Sequence, residues 1–374
     1  MAMQESNTRL SLLGQVLKEY RKLHGLTQEQ LAEELKVEPR TLRSWENERP
    51  LENIRELRRI ADTLGIEPER LGIAPSSYTP RTPEQIEEIV QYAWSLVEDS
   101  RMYQARATIE RLIQNLQTQI TSEEPKLLTS LAHAYHAAGY IVSEATRANE
   151  SFGAISYYQR METMARTLDN HTLLNIALTY QGDMYRRLGE VTKAITYLEA
   201  ARDTTPQADS AARGNGIQLL GRAYLRRSDR GGFERAMAEA EELASIIDPT
   251  TSSTQGHYSL GTVYEEYGRS YTDLGLMQKA LAYLDRAKLN LPSTRFWELL
   301  VTTSQAMALV KGGEVETGIE LAVKAANQIR VAGILRFLER IYVIDQHLEK
   351  LERQIGRARG PLREVLDGGK VIDL

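Results

Sequence analysis

The sequence predicts an all-α protein that consists of a small N-terminal helical domain followed by an array of helical repeats. Leu, Ala, Glu, Arg and Gln dominate the 374 residues, and apolar residues recur at spacings of three and four, which is the helical period. No segment alternates apolar and polar residues between hairpin turn signals, as strands do. Two long segments also share one spacing of small and aromatic residues, which is the mark of a repeat.

Composition excludes several classes of site. The chain has no cysteine, so it has no disulfide, thiolate metal site or cysteine nucleophile, and this fits a reducing compartment. Residues 1–7 are polar and unlike a secretory signal, and no stretch approaches the roughly 18 apolar residues of a membrane span. We therefore expect a cytoplasmic protein without a membrane partner.

The charge of the chain gives no bulk support for binding to nucleic acid. The net charge is -5, and residues 1–72 hold 12 Lys and Arg against 13 Asp and Glu. Any attraction to phosphate must therefore come from basic residues gathered on one face.

The N-terminal domain, residues 1–72, contains five short helical segments. They are expected at residues 8–23, 27–35, 40–47, 53–64 and 67–71. Gly25 and Gly65 are helix stop signals, and Thr27 with Gln30 forms a capping-box pattern at the start of the second helix. Twelve apolar residues are expected to form the core of this domain: Leu13, Leu17, Leu23, Leu26, Leu31, Leu35, Val37, Leu42, Trp45, Leu57, Ile60 and Leu64.

A linker is expected at residues 73–83, with the sequence IAPSSYTPRTP. Its three prolines and small polar residues do not continue a helix and suit an extended spacer.

Residues 9–72 contain the order GLTQ, LA, TL, WEN and LG within RKLHGLTQEQLAEELKVEPRTLRSWENERP and IRELRRIADTLGIEPERL. With this order they resemble the Cro- and phage-repressor-type (XRE) helix-turn-helix family. The resemblance implies that the third helix enters the major groove of double-stranded DNA. The implied base-facing residues are Pro39, Arg40, Thr41, Arg43 and Ser44, and the implied phosphate contacts are Gln28, Arg49, Asn53 and Arg55. Arg40 is the leading candidate, because a guanidinium pairs bidentately with guanine. Lys36 and Glu48 stand where the family usually has glycine, and Glu38 stands at its usual Ser or Thr cap.

From residue 84 the sequence repeats itself. Gly182, Tyr185, Gly189, Ala194, Ala201 and Pro206 have the same mutual spacing as Gly268, Tyr271, Gly275, Ala280, Ala287 and Pro292. This is the tetratricopeptide pattern of paired helices, in which small residues let the helices pack closely. We expect six such pairs in residues 84–333, with longer loops near 143–153 and 228–233, then a capping helix at 334–355 and a tail at 356–374.

The resemblance to tetratricopeptide proteins implies a right-handed α-superhelix with a concave groove lined by the first helix of each pair. The residues expected to bind a ligand there are Trp94, Lys126, His133, His136, Thr179, Asp183, Arg186, Asn215, Gln218, Arg222, Glu265 and Arg269. Basic residues outnumber acidic ones among them, which suits an extended peptide or a small anion. A hydrated groove with internal salt bridges is the alternative.

No catalytic or metal-binding motif stands out, so we expect neither an enzyme nor a cofactor. His133 and His136 lie three residues apart on one predicted helix, but no sequence neighbour supplies further donors at liganding spacing. Gly214 and Gly216 follow no strand, and they are assigned to a loop between helices.

The combination of a repressor-type domain and a repeat array resembles the RRNPP regulators, a bacterial family that senses short signalling peptides. It implies a homodimeric transcription regulator in which a peptide bound in the groove controls dimer geometry or DNA affinity, and in which Asn215 and Gln218 contact the peptide. Two other functions stay open, a protein-interaction scaffold and a regulator that senses a small molecule.

Overall fold

The computed structural model describes residues 2–47, 51, 53–66, 68–71, 82–117, 124–146, 152–248 and 253–366. Within these ranges every regular element is a helix, which confirms the predicted all-α class. The expected linker at 73–83 lies outside the described residues except for Thr82, which caps the next helix, and Pro83, its first residue.

The N-terminal domain contains four α-helices and a short 3-10 turn. They are α1 (Ala2–His24), α2 (Gln28–Glu34), α3 (Pro39–Glu46), α4 (Ile54–Leu64) and the turn Pro68–Leu71. The capping box at Thr27 and Gln30 is present, because each side chain bonds the other residue's backbone N–H. Leu23 was wrongly expected in the core: it is 79% exposed, since the buried face of α1 carries Val16 and Tyr20 instead.

In the described part of this domain, left-handed backbone occurs at Gly25, Lys36 and Gly65. Gly65 ends α4 at φ +64, and a Cβ there would lie 2.1 Å from the carbonyl oxygen of Tyr103. Lys36 adopts φ +52 between α2 and α3, a conformation that costs a non-glycine residue about 1 kcal/mol. The helix-turn-helix therefore keeps its turn despite lacking the usual glycine.

Six helix pairs and a final helix follow in the described part of the chain. The first three pairs are α5 (Pro83–Glu98) with α6 (Met102–Gln117), α7 (Pro125–Ala145) with α8 (Phe152–Thr167), and α9 (His171–Arg187) with α10 (Val191–Thr204). The next three are α11 (Ser210–Arg226) with α12 (Arg230–Ala244), α13 (Leu260–Asp273) with α14 (Met277–Asn290), and α15 (Arg295–Gly312) with α16 (Val315–Ala332). The last helix is α17 (Leu335–Leu366).

The small residues of the repeats are close-packing positions. A Cβ on Gly182 would lie 2.6 Å from Cγ of Leu198, and a Cβ on Gly268 would lie 2.5 Å from Cγ of Leu284. The two pairs thus pack in the same way, which is the physical reason that the spacing repeats.

The structure differs from the expected segments in three places. Gly214 and Gly216, which were wrongly expected in a loop, lie inside α11, where both are buried against neighbouring side chains. The segment between α11 and α12 is short, and the long connection is instead residues 245–259, between α12 and α13. The final helix does not end near residue 355 but continues to Leu366, with Pro361 inside it and every side chain from 352 to 366 exposed. Helix-forming Arg, Leu and Glu at most of these positions account for the extension.

The array curves until its last helices meet its first. α15 packs against α5, and α17 packs against α7. The N-terminal domain rests on this array, with α4 against α6 and α2 against α16. At this junction Tyr103 of α6 packs among the core residues of the N-terminal domain.

Candidate functional site

Helix α3 presents a polar face opposite the face that holds it in the domain. Leu42 and Trp45 are buried, whereas Arg40 and Arg43 are exposed. The other base-facing candidates, Pro39, Thr41 and Ser44, are partly exposed. The five residues thus lie on one accessible surface. Arg43 is held by Glu29 of α2, with 2.9 Å between Nη2 and Oε1.

Glu46 fixes α3 against α1 and α2. Its buried carboxylate accepts from Nε of Arg21 at 2.8 Å and from Nε2 of Gln28 at 2.6 Å. Burial opposes the charge, but the hydrogen bonds from Arg21 and Gln28 outweigh it and lower the pKa of Glu46. Helix α3 therefore has a fixed orientation within the domain.

The candidate phosphate contacts are placed less uniformly. The amide nitrogen of Gln28 is engaged by Glu46, and the side-chain oxygen of Asn53 caps α4 by accepting from the N–H groups of Arg55 and Glu56. Arg55 is exposed beside this cap. Arg49 lies outside the described residues.

The repeat groove brings together six of the twelve candidate ligand residues. They line one small cavity of about 80 Å³: Asp183, Asn215, Gln218, Arg222, Glu265 and Arg269. Asn215 and Gln218 are both buried, and the side-chain oxygen of Gln218 has no hydrogen-bond partner in the described structure.

An open basic groove would require unpaired arginines, but the arginines of this groove are paired with carboxylates. Arg222 lies 3.2 Å from Glu266, and Arg269 lies within 4 Å of both Glu265 and Glu266. Asp183 pairs with Arg186 and with Arg187, whose Nη2 is 2.7 Å away. Burial alone would raise the pKa of Asp183, but Arg186, Arg187 and Arg336 hold it well below its usual range. The alternative of internal salt bridges thus describes this part of the groove.

Helix α17 closes one side of the same groove. Arg336 bonds the buried carboxylate of Glu144, and Arg340 lies 2.8 Å from Glu265 and 2.9 Å from the hydroxyl of Ser304. Burial lowers the pKa of Arg340, although Glu265 opposes this effect. Two basic side chains of α17 are therefore part of the cavity wall.

The long segment between α12 and α13 enters the groove from another side. His257 lies among four aromatic rings, whose centroids are 4.2 Å (Tyr140), 5.2 Å (Trp94), 5.4 Å (Trp297) and 5.9 Å (Phe296) from its own. Burial lowers the pKa of His257 to about 3, and its Nδ1 lies 3.0 Å from the Tyr140 hydroxyl, to which it is hydrogen-bonded.

The remaining ligand candidates do not line this cavity. His133 pairs with Glu87 at 2.8 Å, and Lys126 is exposed beside them at the edge of α7. His136 and Trp94 are buried and in ring contact with each other, and Thr179 is buried. His133 and His136 therefore face different surroundings. In the described ranges no group of three His, Cys, Asp or Glu residues is arranged to hold a metal ion.

Sequence reasoning missed several residues of the cavity. Glu144, Arg336 and Arg340 lie on helices whose register against the groove depends on how far the array curves, and the repeat pattern carries no such signal. Glu266 was detectable, because it follows Glu265 on a helix that is buried on most of its circumference. His257 stands in a connection between repeats, where no periodic frame applies.

Among the described helices, none has the length and apolar character needed to cross a membrane. A search of curated protein sequences finds no match to this chain.

Three of the solved structures that match this chain have low sequence identity and low TM-scores. PlcR of Bacillus thuringiensis, solved with the peptide PapR7 and DNA, is 16% identical, and the match covers 82% of this chain and 99% of that chain with a TM-score of 0.40. The apo competence regulator ComR of Streptococcus vestibularis is 14% identical, with 83% and 99% covered and a TM-score of 0.35. A Rap protein solved with competence and sporulation factor is 12% identical, with 70% and 80% covered and a TM-score of 0.43.

The N-terminal domain has a direct family match. Residues 17–71 match the model of the family described as Helix-turn-helix, and they include α2, α3 and the turn between them. Residues 17–71 of this chain are therefore a helix-turn-helix domain of the XRE type.

Proposed function

We propose that this chain is a transcription regulator that binds a specific double-stranded DNA sequence through α3 and senses a short peptide in its repeat groove. The observation that carries the proposal is the face of α3 in a helix-turn-helix domain: Arg40 and Arg43 are exposed, while Leu42, Trp45 and Glu46 fix the helix from behind. A helix held in this way enters the major groove with its N-terminal residues at base edges.

The proposed regulator acts as a homodimer. A single small helix-turn-helix domain contacts few base pairs, and two copies read half-sites about 34 Å apart. Because the N-terminal domain packs on α6 and α16 of the array, a change in the shape of the array shifts the domain and alters the spacing of the two α3 helices. Peptide binding is thereby coupled to DNA affinity.

The groove supports the peptide part of the proposal. The side-chain oxygen of Gln218 is buried without a partner, and the neighbouring cavity wall includes Asn215. Side-chain amides bond both the N–H and the C=O of an extended backbone, so they suit a peptide better than an apolar molecule.

The test is a fluorescence-anisotropy titration of the full-length protein against the DNA upstream of its own gene, across a series of salt concentrations. We expect binding that weakens steeply with salt, because phosphate contacts release counterions. Arg40→Ala should weaken specific binding by about 1–3 kcal/mol. The matched control is Arg235→Ala, which removes an exposed arginine of α12 in the repeats.

Equal affinity of wild type and Arg40→Ala for that DNA and for unrelated DNA, with and without added cell extract, would contradict specific recognition by α3. A protein-interaction scaffold would then be the better description of the chain.

A further inference from the structure

The ion-pair cluster of the groove contains more arginines than carboxylates. It consists of six arginines and four carboxylates: Arg186, Arg187, Arg222, Arg269, Arg336 and Arg340, with Glu144, Asp183, Glu265 and Glu266. The cluster therefore has a surplus of two positive charges. The four carboxylates are buried, whereas four of the arginines are partly exposed, so an anion that binds beside the cluster meets an unbalanced positive charge.

An open cavity lies beside the ion-pair cluster and shares Arg222 with it. This cavity, of about 460 Å³, lies where the ends of α11 and α13 meet, and Arg222 lines both it and the small central cavity. The central cavity is below the roughly 300–1,000 Å³ of ordinary ligand pockets, whereas the cavity beside it is within that range. A ligand group has room here without displacement of the central ion pairs.

The polar groups of this open cavity are suited to an anion. Arg226 is exposed and has no ion-pair or hydrogen-bond partner in the described structure, and the hydroxyl of Ser270, a residue 2% exposed, also has none. The one acidic residue of the cavity wall, Asp273, is paired with Lys311 at 3.1 Å. Arg230, also in the wall, is paired with Glu234.

We propose that this cavity binds a carboxylate of the peptide ligand, with Arg222 and Arg226 as the charged contacts and the Ser270 hydroxyl as a further donor. The proposal rests on the proposed function of peptide sensing and names the ligand group that the groove selects. A carboxylate accepts several hydrogen bonds from guanidinium groups, which are planar and permanently charged. It also neutralises part of the surplus, and through Arg222 it touches the pair with Glu266 in the groove centre.

The test uses two pools of random octapeptides, one with free C-terminal carboxylates and one with C-terminal amides, incubated with the immobilised full-length protein. Retained peptides are identified and quantified by mass spectrometry. The variants are Arg226→Gln and Ser270→Ala, and the matched control is Arg227→Gln, an exposed neighbour outside the cavity wall.

We expect wild type and Arg227→Gln to retain free-acid peptides, and Arg226→Gln to retain about tenfold less, as for the loss of a charge-assisted contact. Ser270→Ala should reduce retention by a smaller factor. If the amide pool is also retained but is enriched in Asp and Glu and depends on Arg226, the carboxylate comes from a side chain, and the site is again supported.

Retention that depends neither on carboxylates nor on Arg226 would overturn this site and leave peptide sensing in place. Retention of no peptide from either pool by the wild type would contradict peptide sensing itself, and the carboxylate site with it.

Discussion

The hydroxyl of Tyr103 lies 2.9 Å from Nδ1 of His24, and the hydrogen bond between them joins the first repeat to the helix-turn-helix domain. Burial, and to a smaller extent Arg106, lowers the pKa of His24 to about 4. Arg330 of α16 reaches the same junction, where it donates to the carbonyl of Gly25.

The Tyr103–His24 bond is expected to stabilise the docked arrangement of the two domains. Tyr103→Phe removes the hydroxyl and keeps the ring, and the coupling energy with His24→Ala in a double-mutant cycle should be about 1 kcal/mol. The measurement is urea denaturation of the four proteins. Strictly additive effects of the two substitutions would show that the hydrogen bond contributes nothing to stability. The control is Tyr92→Phe, which removes a hydroxyl that contacts Gln104 within the repeats.

Acid should destabilise the protein before carboxylates titrate. Burial lowers the pKa of His136 and of His257 to about 3, below the ordinary value of about 6.5. Between these values the unfolded chain binds more protons than the folded one, so stability is complete above pH 6.5 and falls as the pH drops. At pH 5.5 each ring should cost about 1 kcal/mol.

This prediction is checked by urea denaturation at pH 7.5 and 5.5. His257→Phe keeps an aromatic ring between Tyr140 and Trp297 and should make stability less dependent on pH in this window. An equal pH dependence in wild type and variant would argue against a neutral, buried His257.

Lys36→Gly should stabilise the N-terminal domain by about 1 kcal/mol, because Lys36 has φ +52 and glycine adopts this conformation without strain. Lys18→Gly, within α1, is the matched control and should destabilise by about 1 kcal/mol. Thermal unfolding followed by circular dichroism measures both changes. A destabilised Lys36→Gly would mean that the turn is not left-handed in solution.

Gly182→Ala and Gly268→Ala should each destabilise the repeats by about 1–3 kcal/mol, since the added methyl overlaps Leu198 or Leu284. Gly356→Ala is the control: that residue lies on exposed α17 with nothing within 4 Å of an added Cβ, so alanine should be neutral or slightly stabilising. Calorimetry of the three variants tests this. Tolerance of alanine at both repeat positions would refute the close packing of each helix pair.

Glu46→Ala should destabilise the helix-turn-helix domain by about 2 kcal/mol, because it leaves Arg21 and Gln28 without their shared acceptor. DNA binding should weaken as well, since α3 loses its fixed orientation. Glu29→Ala removes only the exposed partner of Arg43 and should change stability little. Equal losses of unfolding free energy in the two variants would show that the buried hydrogen bonds of Glu46 stabilise the domain no more than the exposed ion pair of Glu29 does.

Much of the fold was readable from local signals. The capping box at Thr27 and the glycine stop at Gly65 act within a few residues of chain, so they fix helix ends independently of tertiary context. The spacing around Gly182 and Gly268 reflects packing inside one helix pair, which is why two copies revealed it. The candidate residues of α3 lie opposite its buried residues Leu42 and Trp45, because a helix of known register has one buried side, and their contact with bases stays a prediction.

The groove was less predictable. The spacing of the repeats predicted which face of each first helix points into the groove, and six of the residues chosen in this way line one cavity. Lys126 and His133 do not line that cavity, and the repeat frame carried no signal for His257 and Arg340, which do. Contacts between distant repeats depend on the total curvature, and small rotations per repeat add up over six pairs.

The sequence by itself determined the helices, their caps, the helix-turn-helix and the pairing within each repeat, because these depend on contacts between residues close in the chain. The tertiary structure alone decided how far the array closes, that Arg336 and Arg340 enter the groove, and that Tyr103 meets His24. Those contacts join residues far apart in the chain, and their geometry follows from the packing of every intervening helix rather than from any local pattern.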